Sequence, residues 1–293
     1  MTTGKEPAQP ASWVRPYAEP PLTDLDPGTK AWICRGANFV IVLSEVEAGA
    51  VLSRADNPDE YMVLTTGPAV AIEAQGERIE AAPDSLTIVP PGASTVTALA
   101  AGQVVRMFSS AAADLAARAG NADAYARPNP TVAPIVPWPE PAGGYRLRNY
   151  RLADYVHEGS NMRVFRSRSL MVNITTVRDE PRDTSKLTPH SHADFEQGSL
   201  TVSGSYVHHL RYPWTPDMAD WREDQHIELQ SPSMVVITPT TIHTSRNIGD
   251  EPGWLIDVFA PPRMDFSKRE GVVANAAEYP MPEEATAAQK ESV

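Results

Sequence analysis

Two stretches decide how this chain is read: T-P-H-S-H-A-D-F-E-Q-G-S-L-T-V-S-G at residues 188–204, and T-P-T-T-I-H-T-S-R-N at residues 238–247. His190 and His192 are separated by one residue, so on a β-strand both imidazoles leave the same face, roughly 7 Å apart. Glu196 follows after a short turn, which lets the next antiparallel strand carry its carboxylate back over the same space. His243 can arrive on a later strand. Three neutral nitrogens and one anionic oxygen are a ligand set for a divalent first-row metal.

The order and spacing of these residues carry a resemblance. H-x-H-x-x-x-E, with Gly204 eight residues beyond Glu196, followed by Pro239, His243 and Asn247 in P-x-x-x-H-x-x-x-N, resembles the two signature motifs of the cupin superfamily. Two departures stand out. Thr238 and Thr240 occupy positions where that family usually has a proline and a glycine, and the family's interval from glutamate to glycine is commonly one residue shorter. Neither departure touches a ligand. The resemblance implies a jelly-roll barrel whose metal ligands are His190, His192, Glu196 and His243.

Composition agrees with a folded, proline-punctuated β protein. The chain has 293 residues, 42% apolar and 21% charged, which is globular rather than disordered. Its 28 prolines leave few windows for long helices. A net charge of -12 argues against a nucleic-acid partner, since phosphate binding needs a basic face. Cys34 is the single cysteine, so no internal disulfide can form, and its apolar A-W-I-C-R setting reads as a small buried residue. The first residues lack the apolar core of a signal peptide and no window reaches membrane-spanning length, so a cytoplasmic protein with no membrane partner is expected.

The fold class expected is all-β, with two cupin (jelly-roll) β-barrels in tandem joined by a short helix and a Pro-rich linker. Residues 1–30 read as an arm, anchored by Trp13 and Tyr17, that lies across a barrel or a partner subunit. Residues 31–110 hold short apolar runs separated by turns, and the same order of elements recurs over residues 146–266. S-L-T-I-V-P-P-G-A-S in the first half lines up with S-M-V-V-I-T-P-T-T-I in the second. If Glu60 corresponds to Glu196, then Arg54, Asp56 and Thr95 stand where His190, His192 and His243 do. Arginine does not give up its proton to a cation, so the first barrel is expected to be a degenerate one, without metal and with an ion pair among Arg54, Asp56 and Glu60. An alanine-rich helix is expected from about Ser110, stopped at Gly120, then a Pro-rich linker packed by Ile135 and Trp138, the helix and linker together taking residues 111–145. Residues 267–293 read as a tail, poorly ordered from Glu283 onward.

Four protein ligands leave up to two positions open, and by charge counting a divalent ion there keeps about one net positive charge, which attracts a small anionic substrate. The leading expectation is an iron(II) dioxygenase acting on a small anionic or enolisable organic acid. Manganese, nickel or zinc would instead suit a non-oxidative isomerase, epimerase or decarboxylase of sugar or keto acids, and a metabolite-binding protein with a structural metal is the third reading. Tyr206 and His208 share one strand face and Val207 and His209 the other, with Tyr206 and His208 the candidate catalytic pair. His157 and His226 read as solvated. Arg263 is the candidate for holding a substrate carboxylate, or else pairs with Asp265 or Asp257. The insertion bearing Trp214 and Trp221 reads as a cap on the pocket or a dimer face, and a homodimer is expected. Cupins resembling oxalate decarboxylase carry an arginine three residues before the first histidine, where this chain has Leu187, so that subgroup is disfavoured.

Overall fold

The computed structural model describes residues 9–283. A short strand β1 (Ser12–Val14) precedes β2 (Lys30–Arg35), β3 (Phe39–Val46), β4 (Val51–Asn57), β5 (Tyr61–Thr65), β6 (Val70–Ala74), β7 (Glu77–Ala81), β8 (Ser85–Val89), β9 (Gly92–Ala98) and β10 (Gly102–Ser109). After helix α1 (Ala113–Ala116) and the linker come β11 (Arg148–Arg151), β12 (Val164–Arg166), β13 (Met171–Ile174), β14 (Gln197–Ser203), β15 (Tyr206–Arg211), β16 (Gln225–Leu229), β17 (Ser233–Ile237), β18 (Ile242–Asn247), β19 (Trp254–Phe259) and helix α2 (Met264–Ser267). The first barrel sets the six-stranded sheet β11-β8-β5-β10-β3-β2 over the four-stranded sheet β4-β9-β6-β7. The second sets β1-β17-β14-β19-β13-β12 over β16-β15-β18. This is the tandem all-β jelly-roll arrangement that the sequence predicts.

The two six-stranded sheets pack against each other through their outer faces. One continuous core takes Phe39, Ile41, Leu43, Met62, Leu64 and Met107 from the first sheet, and Val172, Leu200, Met234, Val236, Ile256 and Val258 from the second. Alternate residues Val40, Val42, Val63 and Val104 face the other way, into the first barrel. Both faces of these strands are buried, which is why runs such as F-V-I-V-L are apolar without alternation. A close contact lies at Gly198, where a Cβ would lie 2.8 Å from the Phe39 ring and 3.1 Å from Ile41. Only glycine admits that contact.

Terminal segments tie each barrel to the other. The arm strand β1 pairs with β17 of the second barrel, Ser12 opposite Val236, so the arm lies on a barrel of its own chain. Strand β11, beyond the linker, pairs with β8 of the first barrel. The linker is packed, with Trp138 buried under the Arg166 guanidinium and Ile135 against the shared core. The alanine-rich helix shrinks to Ala113–Ala116 followed by a 3-10 turn at Ala122–Tyr125, and no side chain caps its start.

The segment expected as a tail from residue 267 is largely structural. Val273, Asn275 and Tyr279 are buried, Glu278 pairs with Arg148, and the Tyr279 hydroxyl donates to Glu60 Oε1 at 2.8 Å. The rest of that expectation falls on residues 284–293, outside the described residues. The glutamate just before β14 of the second barrel mirrors this arrangement: Glu196 Oε1 accepts from Tyr125, which follows the first barrel. Each barrel therefore offers a buried carboxylate to a tyrosine beyond the other.

Burial pushes the Glu60 carboxyl up from 4.5 to about 7, and its second oxygen has no partner. The folded state thus keeps a proton that the unfolded chain releases, so stability falls as pH rises from about 4.5 through 7. Glu60→Gln keeps the acceptor for Tyr279 and removes this titration. Relative to the parent, it is expected to gain up to about 3 kcal/mol on going from pH 5 to pH 8. Parallel melting-temperature profiles for the two proteins would contradict this role for Glu60.

Candidate metal centre

His190, His192 and His243 come together on the wall of the second barrel, each offering a ring nitrogen within 4.8 Å of the others. Their ring centroids are 4.4 to 5.2 Å apart. His190 and His192 do not lie on a regular strand as expected. His190 makes an isolated bridge to His243, with backbone hydrogen bonds of 3.0 and 2.7 Å, and His192 sits in the loop that follows. The loop brings the two rings to 5.1 Å, closer than strand spacing alone. Thr240 N donates to His192 O, stitching the two motifs together. Thr240 holds a φ of 66°, a left-handed conformation costly for a β-branched residue, which explains why a glycine is usual there.

The second-row hydrogen bonds aim these rings. His190 Nδ1 lies 3.0 Å from Thr188 O, and His243 Nδ1 lies 2.9 Å from Thr241 O. An Nδ1–H donated to a carbonyl leaves Nε2 as the free donor atom. Burial lowers His192 to about 4 and His243 to about 3, so both are neutral at ordinary pH.

Glu196 does not complete the set. Its Oε2 accepts from Ala37 N at 2.6 Å and its Oε1 from Tyr125 at 3.1 Å, in the seam between the barrels. Side chains alternate along β14, so Glu196 and Gln197 leave opposite faces, and the residue that faces the histidines is Gln197. Gln197 Oε1 lies 2.9 Å from His192 Nε2 and 3.2 Å from His243 Nε2. Its Nε2 donates to Ser199 Oγ at 3.0 Å and to Asp257 Oδ1 at 2.9 Å, which fixes the amide orientation. Asp257 also accepts from Ser199 at 2.9 Å, and burial raises its pKa. The sequence did carry a signal for this shift. Gly204 is eight residues beyond Glu196, one too many, but seven beyond Gln197.

The donors fit a first-row divalent ion: three imidazole nitrogens and one amide oxygen, all neutral, with His190 open to a cavity. With no carboxylate among them, the charge left on such an ion is two rather than one.

That cavity is about 560 Å³ and is lined by His190, His243 and Gln197 at one end and by Tyr206 and Asn247 further along. Arg178, Arg182, Arg263 and Arg269 face it against Asp257 and Asp265, a basic excess within an acidic protein. Arg263 is not free to receive a substrate carboxylate in the expected manner. It forks onto Asp265 at 3.1 and 2.7 Å and stacks over Phe266. Tyr206 lines the cavity. His208 shares its inward face but does not line the cavity; it is fully buried, with Nδ1 2.8 Å from Ser245 Oγ. His209 points outward and meets His226, Nδ1 to Nδ1 at 2.7 Å, so His226 is paired rather than merely solvated. His157 is exposed. Trp214 and Trp221 stack on each other at 4.4 Å and neither lines the cavity, so they do not cap it.

In the first barrel the aligned residues disperse. Arg54 forks onto Asp114 at 2.7 and 3.0 Å, Asp56 is exposed and Glu60 turns to Tyr279, so the expected three-way ion pair does not form. The pairing of Arg54 with Ser94 reproduces that of His190 with His243, which puts Ser94, not Thr95, at the histidine's position. Tyr61 stands where Gln197 does, its hydroxyl 2.9 Å from Ser94 Oγ.

No family model and no curated protein matches the chain. Solved structures do. The oxalate decarboxylase formate complex from Lactobacillus farciminis is 14% identical with a TM-score of 0.58, covering 86% of each chain. Protein Ylba from E. coli is 11% identical with a TM-score of 0.58, over 89% of this chain and 95% of its own. AerE from Microcystis aeruginosa is 8% identical with a TM-score of 0.54, over 83% and 96%. At these identities the likeness is one of fold, and the fold is the all-β cupin jelly roll, present here twice in one chain.

Proposed function

We propose that the second barrel is a metal-dependent active site for a small anionic oxygen substrate, and that its chemistry is non-oxidative: isomerisation, decarboxylation or lyase cleavage. The observation that carries this is the neutral donor set of His190, His192, His243 and Gln197 at the end of an arginine-lined cavity. A divalent ion held by neutral groups alone keeps its full charge, so the anionic partner it needs is the substrate itself. A divalent ion held by these residues would supply Lewis-acid chemistry toward a substrate oxygen. One structural neighbour is by name a decarboxylase of a small dicarboxylate, which is in keeping with this class.

The iron(II) dioxygenase expected from the sequence assumed an anionic glutamate beside the metal, and that glutamate lies elsewhere. An iron(II) ion held by the same residues would supply oxygen chemistry instead, and the cavity beside His190 leaves room for this second reading. The first barrel is proposed to be structural, since Tyr61, Ser94 and Arg54 occupy the positions of the centre. Manganese, zinc, nickel and iron(II) all suit three imidazoles and an amide oxygen.

Three outcomes test this reading. Titration of the metal-free protein with Mn²⁺ or Zn²⁺ should give one site; Gln197→Ala should weaken it at least tenfold, while Glu196→Gln leaves it unchanged. The reverse ranking would restore Glu196 as the ligand. Asp257→Leu removes the acceptor that orients the Gln197 amide and should lower metal affinity or turnover about 10- to 100-fold, as outer partners of ligands commonly do, whereas Asp257→Asn, which keeps a carbonyl acceptor, should retain most of it. Turnover of keto, hydroxy and sugar acids should persist without oxygen when the protein is loaded with Mn²⁺ or Zn²⁺. Activity confined to iron-loaded protein with matching oxygen consumption would favour the dioxygenase instead.

A further inference from the structure

The cavity extends well beyond the histidines. On β18, His243 and Asn247 share the inward face and are four residues apart, roughly 14 Å along the strand. At the far end Tyr206 lies opposite Asn247, and Arg178 is held beside both. Arg178 exchanges backbone hydrogen bonds of 2.9 and 2.7 Å with Gly253, and a Cβ on Gly253 would sit 2.8 Å from Tyr206 Oη and 3.1 Å from Asn247 Cβ. A volume of about 560 Å³ is that of a site for a multi-atom organic ligand, far more than a two-carbon diacid fills.

Several groups on this wall lack partners. The Arg178 side chain is half-buried and makes no hydrogen bond or ion pair with the described residues, whereas Arg182 is spent on Ser245 O and Thr188 Oγ1, Arg263 on Asp265, and Arg269 is exposed. Asn247 donates its Nδ2 to Glu180 O, which fixes its orientation, and its buried Oδ1 is unpaired. Asn173, on the wall across from Asp257, likewise has a buried Oδ1 without a partner. A buried acceptor left unpaired is costly, and a half-buried guanidinium facing a cavity calls for an anion.

Resting on the metal-centre reading above, we infer that the cavity takes a hydroxylated diacid, one acidic end chelating at the histidine cluster and the other on Arg178, with hydroxyls donating to Asn173 and Asn247. Arg178 is then the residue that selects for the second acid group, and the two asparagines select for hydroxyls.

Four acids of equal chain length separate these contributions: glucarate with two acid groups and hydroxyls, gluconate with one acid group and hydroxyls, adipate with two acid groups alone, and hexanoate with one. In calorimetric titration of the Mn²⁺-loaded protein, glucarate should bind at least tenfold tighter than gluconate or adipate, and hexanoate most weakly. Arg178→Ala, or Arg178→Gln should the first fold poorly, should erase the advantage of glucarate over gluconate and leave Mn²⁺ affinity unchanged. Asn173→Leu should reduce the advantage of glucarate over adipate. Equal binding of glucarate and gluconate, or a preference that survives Arg178→Ala, overturns the inference. An Arg178-dependent preference in protein that takes up no Mn²⁺ would sink the metal centre while upholding the distal subsite. Tight Mn²⁺ binding with no Arg178 effect would do the opposite.

Discussion

The structure depends on two six-stranded sheets meeting through their outer faces, with Gly198 tight against Phe39 and Ile41. Burying apolar surface on both sides of a sheet is the largest favourable contribution available to a protein of this kind. It also removes freedom from the strands involved. Because β14 must turn Gly198 and Leu200 to that seam, Gln197, Ser199 and Thr201 are committed to the interior of the second barrel. The candidate metal centre is thus located by the packing of the two barrels as much as by its own motif.

The two interiors are filled differently, and this separates a solid barrel from a hollow one. The first is closed by Val40, Val42, Tyr61, Val63, Ile72, Val96 and Val104, an apolar cluster around Tyr61 and Ser94. The second has a smaller apolar cluster, with Leu210, Tyr212, Leu229, Val235 and Ile237 at one end. The rest of its inner face carries His208, Ser199, Asn173, Asp257, Asn247 and the clustered His190, His192 and His243. Polar walls cannot be packed dry without partners, and a wall so lined is stable around a polar ligand or water. One barrel serves as the buttress against which the other keeps an open pocket.

Reciprocal glutamate and tyrosine contacts reinforce that buttress. Glu60 meets Tyr279 and Glu196 meets Tyr125, each carboxyl pushed by burial to about 7. The internal repeat pairs these two glutamates correctly. Their common role is to fasten the chain segment beyond one barrel onto the other, and the metal motif sits one residue further along. Glu196 therefore stands at the boundary between the seam and the centre, adjoining Gln197 in sequence while serving the opposite face.

The amino-acid sequence alone determined the fold class, the duplication, the histidine cluster and the burial of Cys34, because each rests on the type and spacing of residues, which any tertiary arrangement must respect. Which of Glu196 and Gln197 faces the histidines could be decided only by the tertiary structure. Side chains on a strand alternate, so a register misjudged by one residue exchanges inside for outside, and at Glu196, as at Thr95 against Ser94, the motif spacing was off by that single step. The placing of Arg178 beside Gly253 and the burial of Tyr279 against Glu60 were likewise invisible beforehand. They join residues from distant parts of the chain, and nothing short of the folded geometry brings those partners together.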